Sequence, residues 1–367
     1  MQRVSEPLGS QAEDGAALAA LGEELLGATH LGLDTEFMRE RTYRAQLCLL
    51  QIATPARCVC VDPLGPLPLE PLAPALRSDA TVKIMHAARQ DLEVLWPLFG
   101  ALPRLFDTQV AAALAGWPSQ VGYAELVRQV LGVTLPKGQT RTDWSRRPLS
   151  PEQIEYALDD VLHLAPLKDA LEERIESLGR TAWLAEELAV LGRPEDLFVV
   201  PERAWERLKG LTDLDPWRRE LARELAGWRE RRAADKNRPR SWILPDNVLR
   251  GMILRVPRTT SELAALEDMA PGFVEHSGDE VLGLIAGLQP PARLAPPGPR
   301  ARPDPAFTAL VKRLGDITRE IATQLAVSPE LLATRRDLEA LAQGDASAPP
   351  LHGWRFAVVG ERLRAAL

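Results

Sequence analysis

Acidic side chains at short, regular spacings are the first sign of chemistry in this sequence. Asp34 and Glu36 end an apolar stretch that is typical of a strand, and side chains two apart on a strand point to the same face. Two adjacent carboxylates repel each other unless a cation lies between them. An Asp-X-Glu pair also occurs by chance on solvent-facing strand edges, so the pair alone favours an ordinary surface position.

Two later stretches with helical patterns carry further carboxylates. Asp91 is followed by Leu92 and Leu95, which places it beside the buried stripe of its helix, where a carboxylate needs a partner such as a metal. Tyr156 and Asp160 are four residues apart and therefore adjacent on one helix face. A tyrosine near a metal-bound water can orient that water or help to take its proton. Each pattern alone fits a surface aspartate or a packed tyrosine better than a site.

A polar loop, residues 137–149, precedes the helix of Tyr156 and Asp160. It combines cations, hydroxyl groups and one aromatic ring, Trp144. This composition suits contacts with phosphates and bases, although an isolated loop of this kind means little.

The elements that would position these residues form two different patterns along the chain. Residues up to about 192 predict strands and helices in alternation, which favours a mixed α/β sheet with helical cover. Later residues predict helices only, interrupted by prolines, with a stiff proline-rich segment among them. The predicted strands are 30–37, 45–53, 57–61 and 81–85, and the predicted helices lie near 12–27, 70–78, 86–99, 107–116, 121–131 and 151–178. The predicted domains are 1–195, 203–289 and 306–367, with a proline-rich linker at 290–305.

The charge distribution is uneven along the 367 residues. The chain has 44 Lys and Arg against 51 Asp and Glu, a net charge of −7. The segment 203–260 alone has 15 basic and 8 acidic residues, which leaves 29 basic and 43 acidic residues elsewhere. An acidic body joined to a basic module is typical of a metal-using nuclease with a separate nucleic-acid-binding domain. A solvated, charged helix face would explain the same numbers equally well.

Cysteine usage favours a reducing compartment, and the hydropathy pattern favours a protein without a membrane span. The three cysteines, Cys48, Cys58 and Cys60, are few and odd in number, which argues against a disulfide framework. They also lack the further ligands of a zinc site. We therefore expect buried free thiols. No apolar run approaches the ~20 residues of a spanning helix, and the first residues lack a signal-peptide pattern. We expect a cytoplasmic protein with no membrane partner.

In their order along the chain, these motifs resemble the DEDD exonuclease superfamily. The tyrosine subgroup is indicated, because Glu155 stands where the histidine subgroup has a histidine. The surrounding residues resemble the ribonuclease D family in particular, over about residues 28–170. The stretches that carry this resemblance are Asp34-Thr-Glu-Phe37, Gln46-Leu, His86-Ala, Asp91-Leu-Glu-Val-Leu95, Asp107-Thr-Gln109, Thr142-Asp-Trp-Ser145 and Arg147-Pro-Leu149.

The resemblance implies a fold, an activity and a set of functional residues. The fold is an α/β mixed-sheet exonuclease domain, ribonuclease H-like, followed by two all-α HRDC-type helical domains. The activity is 3′→5′ exoribonuclease action that releases 5′-mononucleotides from RNA such as tRNA precursors, with two Mg²⁺ or Mn²⁺ ions. The implied metal ligands are Asp34, Glu36, Asp91 and Asp160, with Tyr156 positioning the attacking water. The implied substrate contacts in this domain are Thr35, Phe37, His86, Gln90, Thr142 and Trp144.

A second resemblance covers the basic module. The stretch from Trp217 to Leu249 resembles an HRDC domain, and Pro257 to Leu263 resembles the start of its next helix. We expect Arg231, Arg232, Lys236 and Arg238 to contact RNA phosphates there. A purely structural role for this module is the alternative. Residues 306–367 resemble the second, degenerate HRDC-like domain of ribonuclease D.

Two other functions stay open on the residues alone. A 3′→5′ DNA exonuclease would use the same carboxylates, because no residue in the sequence is seen to select a 2′-hydroxyl. A catalytically silent RNA-binding protein on the same fold is the other alternative, and the presence of all four carboxylates and the tyrosine argues against it. The sequence identifies no protein partner.

Overall fold

The computed structural model of the chain describes residues 2–3, 8, 15–136, 142–211, 214–289 and 304–367. Two compact units make up the chain. The first comprises Met1–Met38, Leu47–Arg193 and Pro303–Leu367, and the second comprises Arg39–Gln46 and Pro194–Arg302. Most of the predicted linker, 290–303, lies outside the described residues. The division into domains at 195, 203 and 306 stays a prediction, because the packing of segments into one unit does not decide domain boundaries.

The first unit is built on a mixed, six-stranded sheet, which confirms the predicted fold class. The strand order is β1-β4-β3-β2-β5-β6. Strands β3 and β4 are antiparallel, whereas β2, β5 and β6 run parallel to one another. The strands are β1 (Gln2–Arg3), β2 (His30–Met38), β3 (Gln46–Ala53), β4 (Arg57–Val61), β5 (Val82–Met85) and β6 (Leu105–Asp107).

Burial along the strands follows from their positions in the sheet. Strand β3 is an almost continuous apolar run, and every residue after Gln46 is buried, as expected for a strand covered on both faces. Strand β4 buries Cys58 and Cys60, and Cys48 of β3 is buried as well; all three are free thiols, as predicted. Strand β2 is buried up to Leu33 and then alternates, which is where its carboxylates begin.

Among the described residues before 193, eight helices pack around this sheet. Two of them differ clearly from the prediction. The predicted helix 151–178 is divided into two helices at residue 163, and the predicted helix 86–99 begins at Arg89. The helices are α1 (Gly15–Leu26), α2 (Ala73–Leu76, preceded by a 3₁₀ turn at Glu70–Leu72), α3 (Arg89–Phe99), α4 (Thr108–Ala115), α5 (Tyr123–Leu131), α6 (Pro151–Leu162), α7 (Leu164–Ser177) and α8 (Thr181–Val190).

The second unit has a helical core of its own. Its longest helix is capped by Asp215, whose side chain accepts a hydrogen bond from the Arg218 N–H at 2.8 Å, and proline occupies the first helical position. Leu221 and Leu225 pack with Leu249 and the residues around it. The elements are α9 (Pro194–Leu197), a 3₁₀ turn (Pro201–Arg207), α10 (Pro216–Asp235), α11 (Arg240–Ile243), α12 (Asp246–Arg255), α13 (Thr260–Ala264) and α14 (Pro271–Gly287).

The last described segment is helical and packs onto the helices that cover the sheet, within the first unit. The rings of Trp183 and Trp354 stack with their centroids 4.6 Å apart, and the Trp354 Nε1–H donates to Glu187 at 2.8 Å. Arg180 donates to the carbonyl oxygens of Leu114 and Leu325 and so joins α4 to the segment. The elements are α15 (Pro305–Leu325), α16 (Pro329–Leu332), α17 (Arg335–Ala342), a 3₁₀ turn (Pro349–Leu351), α18 (Gly353–Arg355), a π-helical turn (Phe356–Gly360) and α19 (Glu361–Ala365).

Across the described ranges, no helix combines the length and the apolar character that a bilayer crossing requires.

Replacement of Trp354 by alanine tests the packing of the last segment. Trp354 is 5% exposed, so Trp354→Ala should lower the free energy of unfolding of the first unit by about 3–5 kcal/mol. Trp242→Ala is the matched control, because Trp242 is 56% exposed and its loss should change stability by less than about 0.5 kcal/mol. Urea unfolding followed by circular dichroism measures both. Equal effects of the two substitutions would contradict the packing described here.

Candidate active site

Strand β2 presents the first two carboxylates of the site. Asp34 and Glu36 are half-buried, and Thr35 between them is 6% exposed, so the alternation predicted from the sequence is present. The Thr35 hydroxyl donates a 2.5 Å hydrogen bond to Oδ1 of Asp91. The strand therefore carries two carboxylates and also fixes the third, which lies in the first turn of α3 and is 7% exposed.

Helix α6 supplies the remaining two residues. It begins with a capping box in which Ser150 Oγ accepts from the Gln153 N–H and the Gln153 side chain accepts from the Ser150 N–H. Apolar residues on one side of α6 are buried, and Tyr156 and Asp160 are half-buried on adjacent turns. The capping box fixes where α6 begins and thereby sets which residues face the sheet.

Three of these carboxylates converge on one point. Asp34, Glu36 and Asp160 each offer an oxygen, and the three oxygens lie within 4.8 Å of one another. Asp91 is close enough for its charge to raise the pKa of Asp34. The donors are all carboxylate oxygens, which are the ligands that hard divalent cations such as Mg²⁺ and Mn²⁺ prefer. The residues that the sequence singled out for a metal therefore fit one.

The crowding of negative charge changes how the carboxyl groups of β2 titrate. Burial is the main reason that the pKa of Asp34 lies well above its ordinary value. The neighbouring charges of Asp91, Asp160 and Glu36 raise it further. Burial, followed by the charges of Asp160 and Asp91, raises the pKa of Glu36 to about 8. Without a cation, the Glu36 carboxyl group therefore favours its protonated form at neutral pH.

The carboxyl groups on the two helices behave similarly. Burial raises the pKa of Asp91 to about 7, although the hydrogen bond from Thr35 acts in the opposite direction. Burial also raises the pKa of Asp160 to about 7, opposed by a hydrogen bond from the Tyr156 hydroxyl. A divalent cation would favour the ionised form of these groups, so metal binding and proton release are linked at this site.

Tyr156 is held as a neutral phenol. Burial raises the pKa of Tyr156 above its ordinary value, and the negative charges of Asp160 and Glu36 raise it further. The ring lies beside that of Trp144, with the centroids 6.1 Å apart. A neutral hydroxyl between carboxylates can donate or accept a hydrogen bond, so Tyr156 is suited to orienting a water molecule and unsuited to acting as a phenolate.

An arginine that the sequence did not single out for a role anchors the loop before α6. Arg147 donates to both carboxylate oxygens of Asp62 at 2.6 Å and to the Cys48 carbonyl at 2.6 Å. It also donates to the Trp144 carbonyl at 2.8 Å. Trp144 is 3% exposed and belongs to the core of the unit. The partner of Arg147 lies 85 residues away, so only the motif Arg147-Pro-Leu149 marked the position in the sequence.

His86 and Asp107 organise the turn that leads into α3. Nδ1 of His86 lies 2.9 Å from the Thr108 hydroxyl, and Nε2 lies 3.0 Å from the Val121 carbonyl oxygen. Burial lowers the pKa of His86, which favours the neutral ring. Asp107 is 2% exposed and accepts from the N–H groups of Ala87 and Ala88 at 3.1 and 2.8 Å. Ala87 has a φ of 56°, and Asp107 stabilises that conformation.

The other predicted substrate contacts lie in less constrained places. Gln90 is exposed on α3, Phe37 is half-buried near the end of β2, and Thr142 begins the described part of the loop before α6. Residues 137–141 of the predicted loop lie outside the described residues. All of these contacts stay predictions.

The predicted basic patch belongs to the second unit. Arg231 lies 3.5 Å from Glu202, and Arg232 pairs with Glu280 at 3.0 Å while its guanidinium lies 5.7 Å from the centre of the Trp228 ring. Lys236 and Arg238 are exposed just beyond α10. The patch thus presents two exposed cations beside two that have acidic neighbours, and its role in RNA contact stays a prediction.

Comparison with known proteins places this geometry in a family context. The model of the 3′–5′ exonuclease family matches residues 11–176, and the model of the HRDC domain matches residues 218–285. The chain is similar to the ribonuclease D of Gluconacetobacter diazotrophicus, with 40% identity over 361 residues that cover 95% of this chain and 90% of that protein. It is also 39% identical over 369 residues to the ribonuclease D of Pseudomonas paraeruginosa, with 96% of each chain covered.

A solved structure gives the same result in three dimensions. The crystal structure of Escherichia coli RNase D, described as an exoribonuclease involved in structured RNA processing, matches with a TM-score of 0.84 and 30% identity. The match covers 100% of this chain and 98% of that chain.

Replacement of one carboxylate tests the electrostatic cost of the site. The pKa of Glu36 is raised in the folded state, so its proton stabilises the fold at low pH, and that contribution is lost as the pH rises from about 4.5 to about 8. In metal-free protein, Glu36→Gln should therefore raise the melting temperature by several degrees at pH 8.5 and much less at pH 5. Glu155→Gln, an exposed change on α6, should have little effect at either pH. Differential scanning calorimetry in EDTA measures this, and a pH-independent effect of Glu36→Gln would contradict the raised pKa that burial and the neighbouring charges give Glu36.

Proposed function

The chain belongs to the ribonuclease D family of 3′→5′ exoribonucleases, and we propose that it trims the 3′ ends of structured RNA, tRNA precursors among them, with two bound Mg²⁺ or Mn²⁺ ions. The convergence of Asp34, Glu36 and Asp160 within 4.8 Å is the observation that carries the proposal. Metal-dependent hydrolysis of RNA explains why so many carboxyl groups are buried together.

Four carboxylates would hold the metal ions in this proposal. Asp34 and Glu36 of β2, Asp91 of α3 and Asp160 of α6 provide only oxygen donors, and their combined charge would balance two divalent cations. Such ions, when bound, would supply positive charge that activates a water and stabilises the leaving 3′-oxygen. The half-buried position of the cluster supports this role, because charge in a partly desolvated site interacts more strongly than in water.

Other side chains of the chain would prepare the reaction. The Tyr156 hydroxyl would orient the attacking water, while its hydrogen bond keeps Asp160 in place. Thr35 would hold Asp91 in the same way through its 2.5 Å hydrogen bond. Orientation of this kind can account for a large part of the rate enhancement, because the entropy cost of bringing the reacting groups together has already been met.

The substrate is proposed on several grounds. The E. coli structure is that of an exoribonuclease involved in structured RNA processing, and this chain matches it over its whole length. The matched HRDC domain contains the patch of Arg231, Arg232, Lys236 and Arg238, which we propose contacts RNA phosphates. We also propose a cytoplasmic location, which the three free, buried cysteines and the bacterial relatives support.

Single substitutions separate the metal ligands from the tyrosine. Asp160→Asn should lower the rate of mononucleotide release by several orders of magnitude, because one of the four carboxylates that would hold the metal ions is lost. Tyr156→Phe should lower it by about 10²–10⁴-fold, the range typical of general acid–base groups. The assay is release of 5′-mononucleotides from a 3′-extended tRNA transcript with Mg²⁺ or Mn²⁺, against EDTA and a DNA strand of matched sequence. Endonucleolytic fragments, activity in EDTA or full activity of Tyr156→Phe would each contradict the assigned chemistry.

The basic patch is tested by salt dependence. Changing Arg231, Arg232, Lys236 and Arg238 together to alanine should weaken tRNA binding, and each lost phosphate contact should reduce the slope of log affinity against log salt by roughly 0.7–0.9. The matched control changes four exposed arginines of the last segment to alanine: Arg335, Arg336, Arg362 and Arg364. Fluorescence anisotropy at several salt concentrations compares the two. If both variants flatten the slope equally, the patch has no special role.

A further inference from the structure

The second unit contains a cavity that is lined by none of the residues given a role above. Its volume is about 480 Å³, within the ~300–1,000 Å³ typical of small-ligand sites. The lining comes from the loop 39–46, the end of the 3₁₀ turn Pro201–Arg207, and the helices α10 to α12. The lining contains two carboxylates, those of Glu40 and Asp246. It also contains four guanidinium groups, those of Arg39, Arg207, Arg229 and Arg240.

Arg229 gives the cavity a buried positive charge that is only partly compensated. Its side chain is 5% exposed, and its Nη1 donates to the Leu244 carbonyl at 2.9 Å and to Asp246 at 2.6 Å. The Asp246 side chain is 72% exposed, so its charge is largely screened by water. The Nε–H of Arg229 is buried and has no acceptor in the described part of the chain. A buried cation with an unused donor favours a further anionic partner.

The loop that closes one side of the cavity is fixed to the helices of the same unit. The Tyr43 hydroxyl donates to Glu230 at 2.5 Å, and the Arg44 N–H donates to the Asn237 side chain at 3.0 Å. Glu230 is almost fully buried, and the Tyr43 hydroxyl satisfies one of its oxygens. Arg240 lies 3.6 Å from the other oxygen, which is too long for a hydrogen bond, so its guanidinium retains donors for a ligand. The cavity is therefore formed in advance of binding.

Arg207 contributes an exposed cation to the lining. It ends the 3₁₀ turn, is exposed, and forms no ion pair with any residue that the structure describes. Arg203, four residues earlier in the same turn, does not line the cavity and pairs with Glu206. The two arginines therefore differ in their access to the cavity while sharing one short element.

We propose that this cavity binds a phosphate group, supplied either by the RNA backbone or by a nucleotide. The planar fork of an arginine matches the oxygens of a phosphate, and several arginines around one cavity favour a dianion over a small monovalent ion. The cavity uses none of Arg231, Arg232, Lys236 or Arg238, so it is a second anion site in the unit. Its volume accommodates a nucleotide as well as one phosphate of a strand.

The test measures binding of phosphate-containing probes to the full chain under conditions that prevent RNA hydrolysis. The protein carries Asp160→Asn and is kept in EDTA, and it is titrated at constant ionic strength with inorganic phosphate, with adenosine 5′-monophosphate and with a short single-stranded oligoribonucleotide. Arg207→Ala should weaken binding of the true ligand class by about tenfold, as expected for loss of a charged hydrogen bond, and Arg207→Glu should weaken it further. Arg203→Ala and Arg203→Glu are the controls, because they change the total charge equally and should alter affinity by less than about twofold.

The three probes distinguish the sources of the phosphate. Binding of phosphate or the mononucleotide that depends on Arg207 supports a nucleotide site. Dependence on Arg207 for the oligoribonucleotide alone supports contact with the RNA backbone. If affinity for all three probes is unchanged by Arg207→Glu, or if the Arg203 variants weaken binding as much as the Arg207 variants, the cavity is not a phosphate site and the proposal is overturned.

Discussion

Mutual repulsion among buried carboxylates is the constraint on which the rest of the catalytic unit depends. Asp34, Glu36 and Asp160 place oxygens within 4.8 Å of one another, and Asp91 adds its charge nearby. Such groups would separate if their backbone were free to move. They stay together because each comes from an element with independent support: a strand inside the sheet, a helix fixed by Asp107, and a helix fixed by its capping box. Part of the fold's stability therefore offsets the cost of the site.

The sequence predicted the parts of the fold that depend on local patterns. Alternation on β2 predicted that Asp34 and Glu36 point together, and both offer oxygens to one cluster. The i, i+4 spacing on α6 predicted that Tyr156 and Asp160 are adjacent, and their side chains form a hydrogen bond. Strands β1 and β6 were not predicted, because two or three residues are too few to show a period of two. The break between α6 and α7 was missed as well. It occurs at His163, whose N–H donates to the Tyr123 hydroxyl, a partner 40 residues earlier.

Features that depend on distant partners could not be predicted from the sequence. The start of α3 at Arg89 follows from the positive φ of Ala87, which Asp107 stabilises from another strand. The composition of its loop suggested substrate contact for Trp144, which stays a prediction, and gave no sign that the structure buries this ring beside Tyr156. Arg147 and Asp62 form a bidentate pair across 85 residues, and charged side chains of either type usually lie on the surface. In each case tertiary packing decided the environment of a side chain whose local sequence is ordinary.

The stacking of Trp183 on Trp354 has a consequence for how the protein is made. A chain leaves the ribosome from its N-terminus, and domains commonly begin to fold during synthesis. Here the strand and helices that carry the carboxylates are complete long before α15 to α18 emerge, yet their core includes side chains from those last helices, such as Leu314 and Trp354. Until then, the apolar side chains that pack against those helices lack part of their buried environment. The core of the catalytic unit is therefore complete only after α15 and α18 have been synthesised.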